Sequence, residues 1–445
     1  MYTILGAGLS GISASYHIGH KDCLVFEKKN NPGGHIHSYR ESEFVWDQGP
    51  HVSFTRNEYV KQLLVFSVNQ EYREYTVKTA NYYKGNWIPH PAQCNLYAVP
   101  QPLRDRFFNG FLSRPESENI KPGNYEEWLI TAFGEAFYNE FSKVYTKKYW
   151  TVDPSLLSTA WVGPRVFSPS IEEVRRGYLE APDKESHYIS QVRYPLHNGY
   201  YSYATKLVDQ MNILLEKEIT YISFKEKYIL FGNERHNYEN LISTIPLPEL
   251  IFKSDAPVAI KKSAAQLACS SVLLVNVTAD HATLLDYNWM YVYDENKLST
   301  RINCTEKLSP NNGPANKTGI QVEVYFSSYK PLNESVDDIA QKVCEELIEM
   351  GLIKDQRSIL SYHTKWVQWA NVIFDHKREQ ALDLIFDWLS QFGLERNEQD
   401  LMPMTDWGTY KNNGKGTIHL AGRFAEWKYY WTDDCILRGQ SLKTN

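Results

Sequence analysis

Along this 445-residue chain the spacing of apolar positions changes several times, and each change marks an element. Tyr2 to Leu5 is a short apolar run that stops at Gly6-Ala7-Gly8-Leu9-Ser10-Gly11, after which Ile12 to Ile18 continues with helical spacing. A second apolar run, Cys23 to Phe26, ends in Glu27. Strand, glycine turn, helix and strand in this order predict a parallel βαβ unit. Between Leu96 and Ser158 the spacing turns helical, with Tyr125 to Leu129 opening one helix and Glu135 to Tyr145 forming a second. Ile219 to Ile222 and Tyr228 to Phe231 read as hairpin strands, and Leu241 to Pro246 as a buried strand. From Ser270 to Phe374, runs such as Val272 to Val277 and Val322 to Phe326 predict an antiparallel sheet, interrupted by a helix from Ser335 to Glu349. Pro310 to Pro314 reads as a surface loop. Ile418 to Ala421 forms a late strand that delivers Gly422-Arg423, ahead of a final helix near Asp434 to Leu442.

The length exceeds what one hydrophobic core usually serves, so two or three domains are expected. With 47 basic against 53 acidic residues, the chain has no positive excess to neutralise a nucleic-acid backbone. Six cysteines lie far apart without metal-ligand spacing and read as reduced thiols. Glycines interrupt the N-terminal apolar residues and no run reaches bilayer-spanning length, so neither a signal peptide nor stable membrane insertion is expected. The expected location is the cytoplasm. The 31 Tyr, 19 Phe and 12 Trp are many, and suit both core packing and stacking surfaces for sugars or flat rings.

The chemistry starts at the glycine turn. Gly6 permits the tight turn, Gly8 lets the backbone approach a pyrophosphate, and Gly11 lets helix and strand pack closely. The helix N-terminus then offers free N–H groups to phosphate. Glu27 stands where a ribose diol would donate two hydrogen bonds, and its charge disfavours a 2′-phosphate.

After Glu27 come Asn31-Pro32-Gly33-Gly34-His35 and Trp46-Asp47-Gln48-Gly49-Pro50-His51. With the late Gly422-Arg423 pair, these segments resemble the FAD-binding amine-oxidase and protoporphyrinogen-oxidase superfamily. The resemblance implies FAD rather than NAD as the tightly held cofactor. It assigns Gly6, Gly8, Gly11, Glu27, Gly33, Gly34, Gly49, His51, Gly422, Arg423 and Asp434 to its binding, with His51 beside the reactive edge of the flavin. A buried histidine bonded only to backbone is the alternative for His51.

Within that superfamily, the interior is similar to the UDP-galactopyranose mutase family. Trp87 to Asn95 resembles its V-P-Y-P-x-Q-N-N segment, Tyr145 to Trp150 its Y-N-x-K-x-W, and Trp161 to Val166 its W-x-x-x-R-V. Trp289-Met290-Tyr291 with Arg301 matches its W-x-Y and second diphosphate arginine, and Gly422 to Tyr429 its G-R-F-x-x-W-R-Y. The resemblance implies that Arg165 and Arg301 clamp the two phosphates of a nucleotide sugar, which two guanidinium forks can neutralise. Tyr291 and Tyr429 would donate to the same phosphates, Trp150 would line the sugar pocket, and Asn95 and Asn371 would complete the substrate contacts. Each arginine taken alone also fits an ordinary ion pair, and each aromatic also fits core packing.

The implied activity is a flavin-dependent nucleotide-sugar ring contraction in cell-surface polysaccharide biosynthesis. In it, N5 of reduced FAD attacks the anomeric carbon while the nucleoside diphosphate leaves and stays clamped, with an external reductant such as NADPH. Arg165, Arg301 and His51 are the catalytic candidates; a homo-oligomer is allowed. Three departures stand out: Asn371 replaces the tyrosine of the family's A-Y-P-x-x-D segment, Ile189 falls where the family has a substrate-contacting asparagine, and Pro50 replaces a glycine before His51. They leave open an FAD-dependent oxidoreductase of amine-oxidase or protoporphyrinogen-oxidase type, or a flavin-binding protein without catalysis. The expected fold is α/β. A Rossmann-like FAD domain would comprise 1–85, 193–255 and 405–445, with a helical lobe at 96–170 and an antiparallel substrate sheet formed by 86–95 and 256–404.

Overall fold

Tyr2–Leu5 is the central strand of a five-stranded parallel sheet, flanked by Cys23–Phe26 on one side and Asn240–Ser243 on the other. Ile213–Leu214 and Ile418–Leu420 form the two edges, so the sheet is assembled from both ends and the middle of the chain. The computed structural model describes residues 1–115, 122–162, 166–182, 191–395 and 416–443. Ile4, Leu5, Val25 and Ile242 are wholly buried, as a parallel sheet covered on both faces requires. The helix Leu9–Ile18 begins directly at the glycine turn and packs along the last helix, Thr432–Ser441. Ser13 donates its hydroxyl to the Ile436 carbonyl at 2.6 Å, and a Cβ on Gly439 would stand 2.5 Å from that of Ser13.

A seven-stranded sheet forms the second layer. Its order is Ile359–Val372, Cys269–Ala279, Thr318–Phe326, Arg301–Cys304, Trp289–Val292, Thr79–Tyr83 and Asn86–Pro89. Strand alternation gives it two different faces. Leu273, Val275, Val277, Ile302, Val322 and Val324 pack under the helix Val336–Glu349, whose first turn Ser335 caps through the Asp338 N–H. The opposite face carries Tyr291, Arg301, Glu323 and Tyr325.

The helical lobe contains Leu103–Leu112, Tyr125–Phe133 and a continuous run from Glu135 to Tyr149. Phe107, Phe133, Phe137 and Phe141 form its aromatic core. Tyr138–Ser142 is one π-helical stretch, which resets the phase of the turns that follow. Tyr145 and Tyr149, four residues apart, then share one face.

Four expectations need correction. Thr79–Tyr83 pairs in the seven-stranded sheet, so the first segment of the dinucleotide domain stops before it rather than at 85. That pairing with Trp289–Val292 is parallel, so the sheet is not purely antiparallel. The second lobe helix runs past Tyr145 to Tyr149. The stretch at Pro310 is more than surface: Asn312 is fully buried and donates to the Thr305 carbonyl and the Tyr194 hydroxyl, because two chain segments meet there. None of the six cysteines forms a disulfide, and no helix among the described residues is long and apolar enough to cross a membrane.

Adding a methyl group where the first and last helices touch should separate them. Gly439→Ala is expected to lower unfolding stability by about 1–3 kcal/mol, read from the urea midpoint. An unchanged midpoint would show that the chain ends are not held by this contact.

Candidate active site

The parallel sheet, the cavity-facing side of the larger sheet and the helical lobe enclose one cavity of about 870 Å³. One end is built by the glycine turn. A Cβ on Gly8 would have only Gly34 within reach, at 4.0 Å, so the backbone is open there to a ligand. Gly11 has the other role: its Cβ would lie 2.1 Å from the Gly6 carbonyl oxygen, and it does not line the cavity. Gly33 and Gly34 fold over the turn, with the Gly33 N–H donating to the Ala7 carbonyl at 2.7 Å. Glu27 accepts the Ala7 N–H at 2.8 Å and the Lys29 N–H at 2.9 Å, which fixes its carboxylate at the cavity rim. Gly422 and Arg423 border the same space; Arg423 donates to the carbonyls of Tyr430 at 2.7 Å and Ala370 at 3.2 Å.

At the other end, strand register does the positioning. Tyr291 lies opposite Arg301, and Arg301 opposite Glu323, in one row across three strands. Glu323 binds Arg301 with both oxygens, accepting from Nη2 at 2.7 Å and from Nε. Burial alone would lower the arginine's pKa, but the Glu323 carboxylate outweighs it and holds the guanidinium firmly charged. Nη1 makes no hydrogen bond to protein among the described residues, so part of the fork stays available. The Arg301 guanidinium carbon is 5.1 Å from the Trp289 ring centre, a cation–π contact. Trp289 is buried, lines the cavity, and its Nε1–H has no acceptor among the described protein atoms. An acceptor-rich ligand would satisfy it.

His51 lies where the two ends meet. Its Nδ1 pairs with the Gly49 carbonyl at 2.7 Å, and burial, opposed by that bond, lowers its pKa to about 3, with His35, Arg423 and Arg301 adding to the drop. It is therefore neutral across ordinary pH, and is a hydrogen-bonding group rather than a charge. Tyr429 stands 5.5 Å from the Arg423 guanidinium carbon and packs on Trp150, which is itself against Trp161. All of these side chains line the cavity, as does Asn371.

Besides Gly11, two expected site residues are placed elsewhere. Asn95 does not line the cavity: its amide donates to the Pro91 carbonyl at 3.0 Å, tying down its own tight turn. Asp434 also stays outside, because its carboxylate accepts the Trp431 N–H at 2.7 Å and caps the final helix. Arg165 and Ile189 lie outside the described residues. The sequence reading missed Glu323. Its signal was a carboxylate in the middle of a nine-residue strand that is buried throughout.

A family model, "NAD(P)-binding Rossmann-like domain", matches residues 4–65. The chain is 28% identical over 171 residues to "Probable UDP-galactopyranose mutase" of Klebsiella pneumoniae, a stretch covering 35% of this chain and 42% of that relative. It is 39% identical over 51 residues to coproporphyrinogen III oxidase of Staphylococcus aureus, 11% of each chain. The matched stretches thus span less than half of either curated relative. The crystal structure of reduced UDP-galactopyranose mutase superposes with a TM-score of 0.86 at 22% identity, covering 99% of this chain and 92% of that one. Cyclohexylamine oxidase of Brevibacterium oxydans superposes with a TM-score of 0.60 at 11% identity, covering 99% and 96%.

Three histidines held below their ordinary pKa give stability a defined pH dependence. Burial lowers His51 to about 3, and His35 and His419 to about 4, from an ordinary 6.5. Between those values the unfolded chain takes up protons that the folded one refuses, so stability is intact above pH 6.5 and is lost as pH falls toward 4 and 3. Asp47, raised by burial to about 6, works in the opposite direction but is one group against three. The urea midpoint is expected to fall between pH 6.5 and 4, and less steeply in His419→Gln; a flat profile would mean that these histidines are hydrated.

In its matched stretch the chain is similar in sequence to a probable UDP-galactopyranose mutase, and its whole fold, with a Rossmann-type dinucleotide-binding unit, is similar to that of reduced UDP-galactopyranose mutase and of cyclohexylamine oxidase.

Proposed function

We propose that the chain is an FAD-dependent nucleotide-sugar mutase acting on a UDP-galactose-like substrate in polysaccharide biosynthesis, with an external reductant such as NADPH. The single observation that carries this reading is the Arg301 fork. It is fixed by Glu323, still has donors to spare, and opens into the same cavity as the dinucleotide cradle. Gly8, Gly33, Gly34, Glu27, Gly422 and Arg423 would hold the FAD, and the open face of Gly8 fits a pyrophosphate. Bound and reduced, FAD would supply a nucleophilic nitrogen for the anomeric carbon of the sugar.

The chain's own residues do the rest. Arg301 and the Trp289 N–H would hold a diphosphate leaving group, so that it stays in place while the sugar rearranges. Tyr291 and Tyr429 would add hydroxyl donors, and Trp150 with Trp161 would exclude water from the sugar. Neutral His51 would hydrogen-bond near the cofactor without adding charge. No catalytic carboxylate pair is required, and Glu323 is already committed to Arg301. A second reading, amine oxidation, is favoured by the aromatic faces of Trp289 and Tyr429 in the cavity.

The test is anaerobic. Protein reduced with dithionite is mixed with UDP-galactofuranose, and conversion to the pyranose is followed by chromatography. Turnover is expected only in the reduced state. Arg301→Lys keeps a charge opposite Glu323 but loses the fork, and should reduce turnover roughly 100-fold or more; Arg165→Ala should also abolish it. No turnover at full FAD occupancy, with oxygen consumption on an amine, would overturn the mutase reading in favour of the oxidase.

A further inference from the structure

Asn371 leaves the substrate wall without the phenol expected at its position, and the fold brings another phenol to the same place. Tyr149, the last residue of the helix Lys143–Tyr149, directs its hydroxyl to Asn371 Oδ1 at 3.4 Å. Its ring is held on three sides. It lies nearly parallel to Tyr145, with centres 5.7 Å apart at 12°, and meets Trp150 at 5.3 Å and Tyr325 at 4.9 Å edge-on. The Arg301 guanidinium carbon is 5.8 Å from the ring centre. All six side chains line the cavity.

The bond to Asn371 is long for a hydroxyl donor, so it holds the proton weakly and leaves it available to a better acceptor. Burial, reinforced by the neighbouring Tyr429 phenol and only partly offset by Arg301, pushes the Tyr149 pKa up. The group therefore remains a neutral donor at any working pH. The Asn371 amide nitrogen makes no hydrogen bond to protein among the described residues, and can support the phenol oxygen once its proton turns to a ligand.

We infer that Tyr149, backed by Asn371, donates its hydroxyl to a diphosphate oxygen of the substrate held at Arg301. The inference rests on the nucleotide-sugar reading above.

The test is calorimetric titration of the FAD-loaded protein with UDP and, in parallel, with uridine, which lacks the phosphates. Tyr149→Phe should weaken UDP binding roughly tenfold or more and leave uridine binding unchanged. Placing the phenol on the opposite wall, Tyr149→Phe with Asn371→Tyr, should recover most of the UDP affinity. Wild-type protein that binds UDP while Tyr149→Phe binds it equally well would overturn the inference alone. Equal losses for UDP and uridine would also overturn it, since the phenol would then be shaping the pocket. Wild-type protein that binds no UDP would overturn the nucleotide reading, and this inference with it.

Discussion

The Arg301–Glu323 pair is the constraint around which the active site is organised. Two opposite charges sit as register partners on neighbouring strands, on a sheet whose other face is an apolar layer under a helix. Neither charge would be tolerated there alone, because an unpaired ion in such surroundings costs several kcal/mol. Paired, they fix a guanidinium on the cavity wall with its charge secured and some of its donors unused. The surrounding groups follow from that point. A Cβ on Gly49 would stand 3.8 Å from Glu323 Oε1, so the turn carrying His51 lies against the pair, and Trp289 offers its ring to the arginine. The helical lobe closes over the row with Tyr145 and Tyr149.

A second buried carboxylate joins the layers. Asp47 accepts the Ser38 hydroxyl at 2.6 Å, the Tyr194 hydroxyl at 2.7 Å and the Tyr200 N–H at 3.0 Å, while its own carbonyl accepts the Gln321 amide at 3.0 Å. The segment leading to His51 is thereby tied to the dinucleotide side and to the large sheet together. The two ends of the chain meet through the packing of the first and last helices and through the late edge strand beside Asn240–Ser243. The glycine turn and the Gly422-Arg423 pair, far apart in sequence, thereby border one cavity.

Much of this was legible in the sequence because its signals are local. The glycine turn needs only adjacent strand, turn and helix, and Tyr2–Leu5, Cys23–Phe26 and the capped helix after Ser335 form where their patterns place them. Tyr291 and Arg301 were marked by the family resemblance of their segment, and the fold sets them opposite each other on adjacent strands. Glu323 was not, because its value depends on a partner on a different strand, set by sheet register rather than by spacing. Tyr149 was not legible either, because the expected helix ended at Tyr145 whereas the helix continues to Tyr149. Asn95 and Asp434 have chemistry suited to a ligand, but backbone groups nearby claim them first. Short polar side chains at turns and helix starts commonly serve the backbone in this way.

Under the proposed function, one cavity holds a dinucleotide at its glycine end and a diphosphate at Arg301. A crystal structure of the FAD-loaded protein with UDP tests it most directly. A pyrophosphate is expected over Gly8, and UDP phosphate oxygens within hydrogen-bonding distance of the Arg301 guanidinium, with Glu323 still in place behind it. UDP bound away from Arg301, or Arg301 still shielded from the ligand by Glu323, would contradict it.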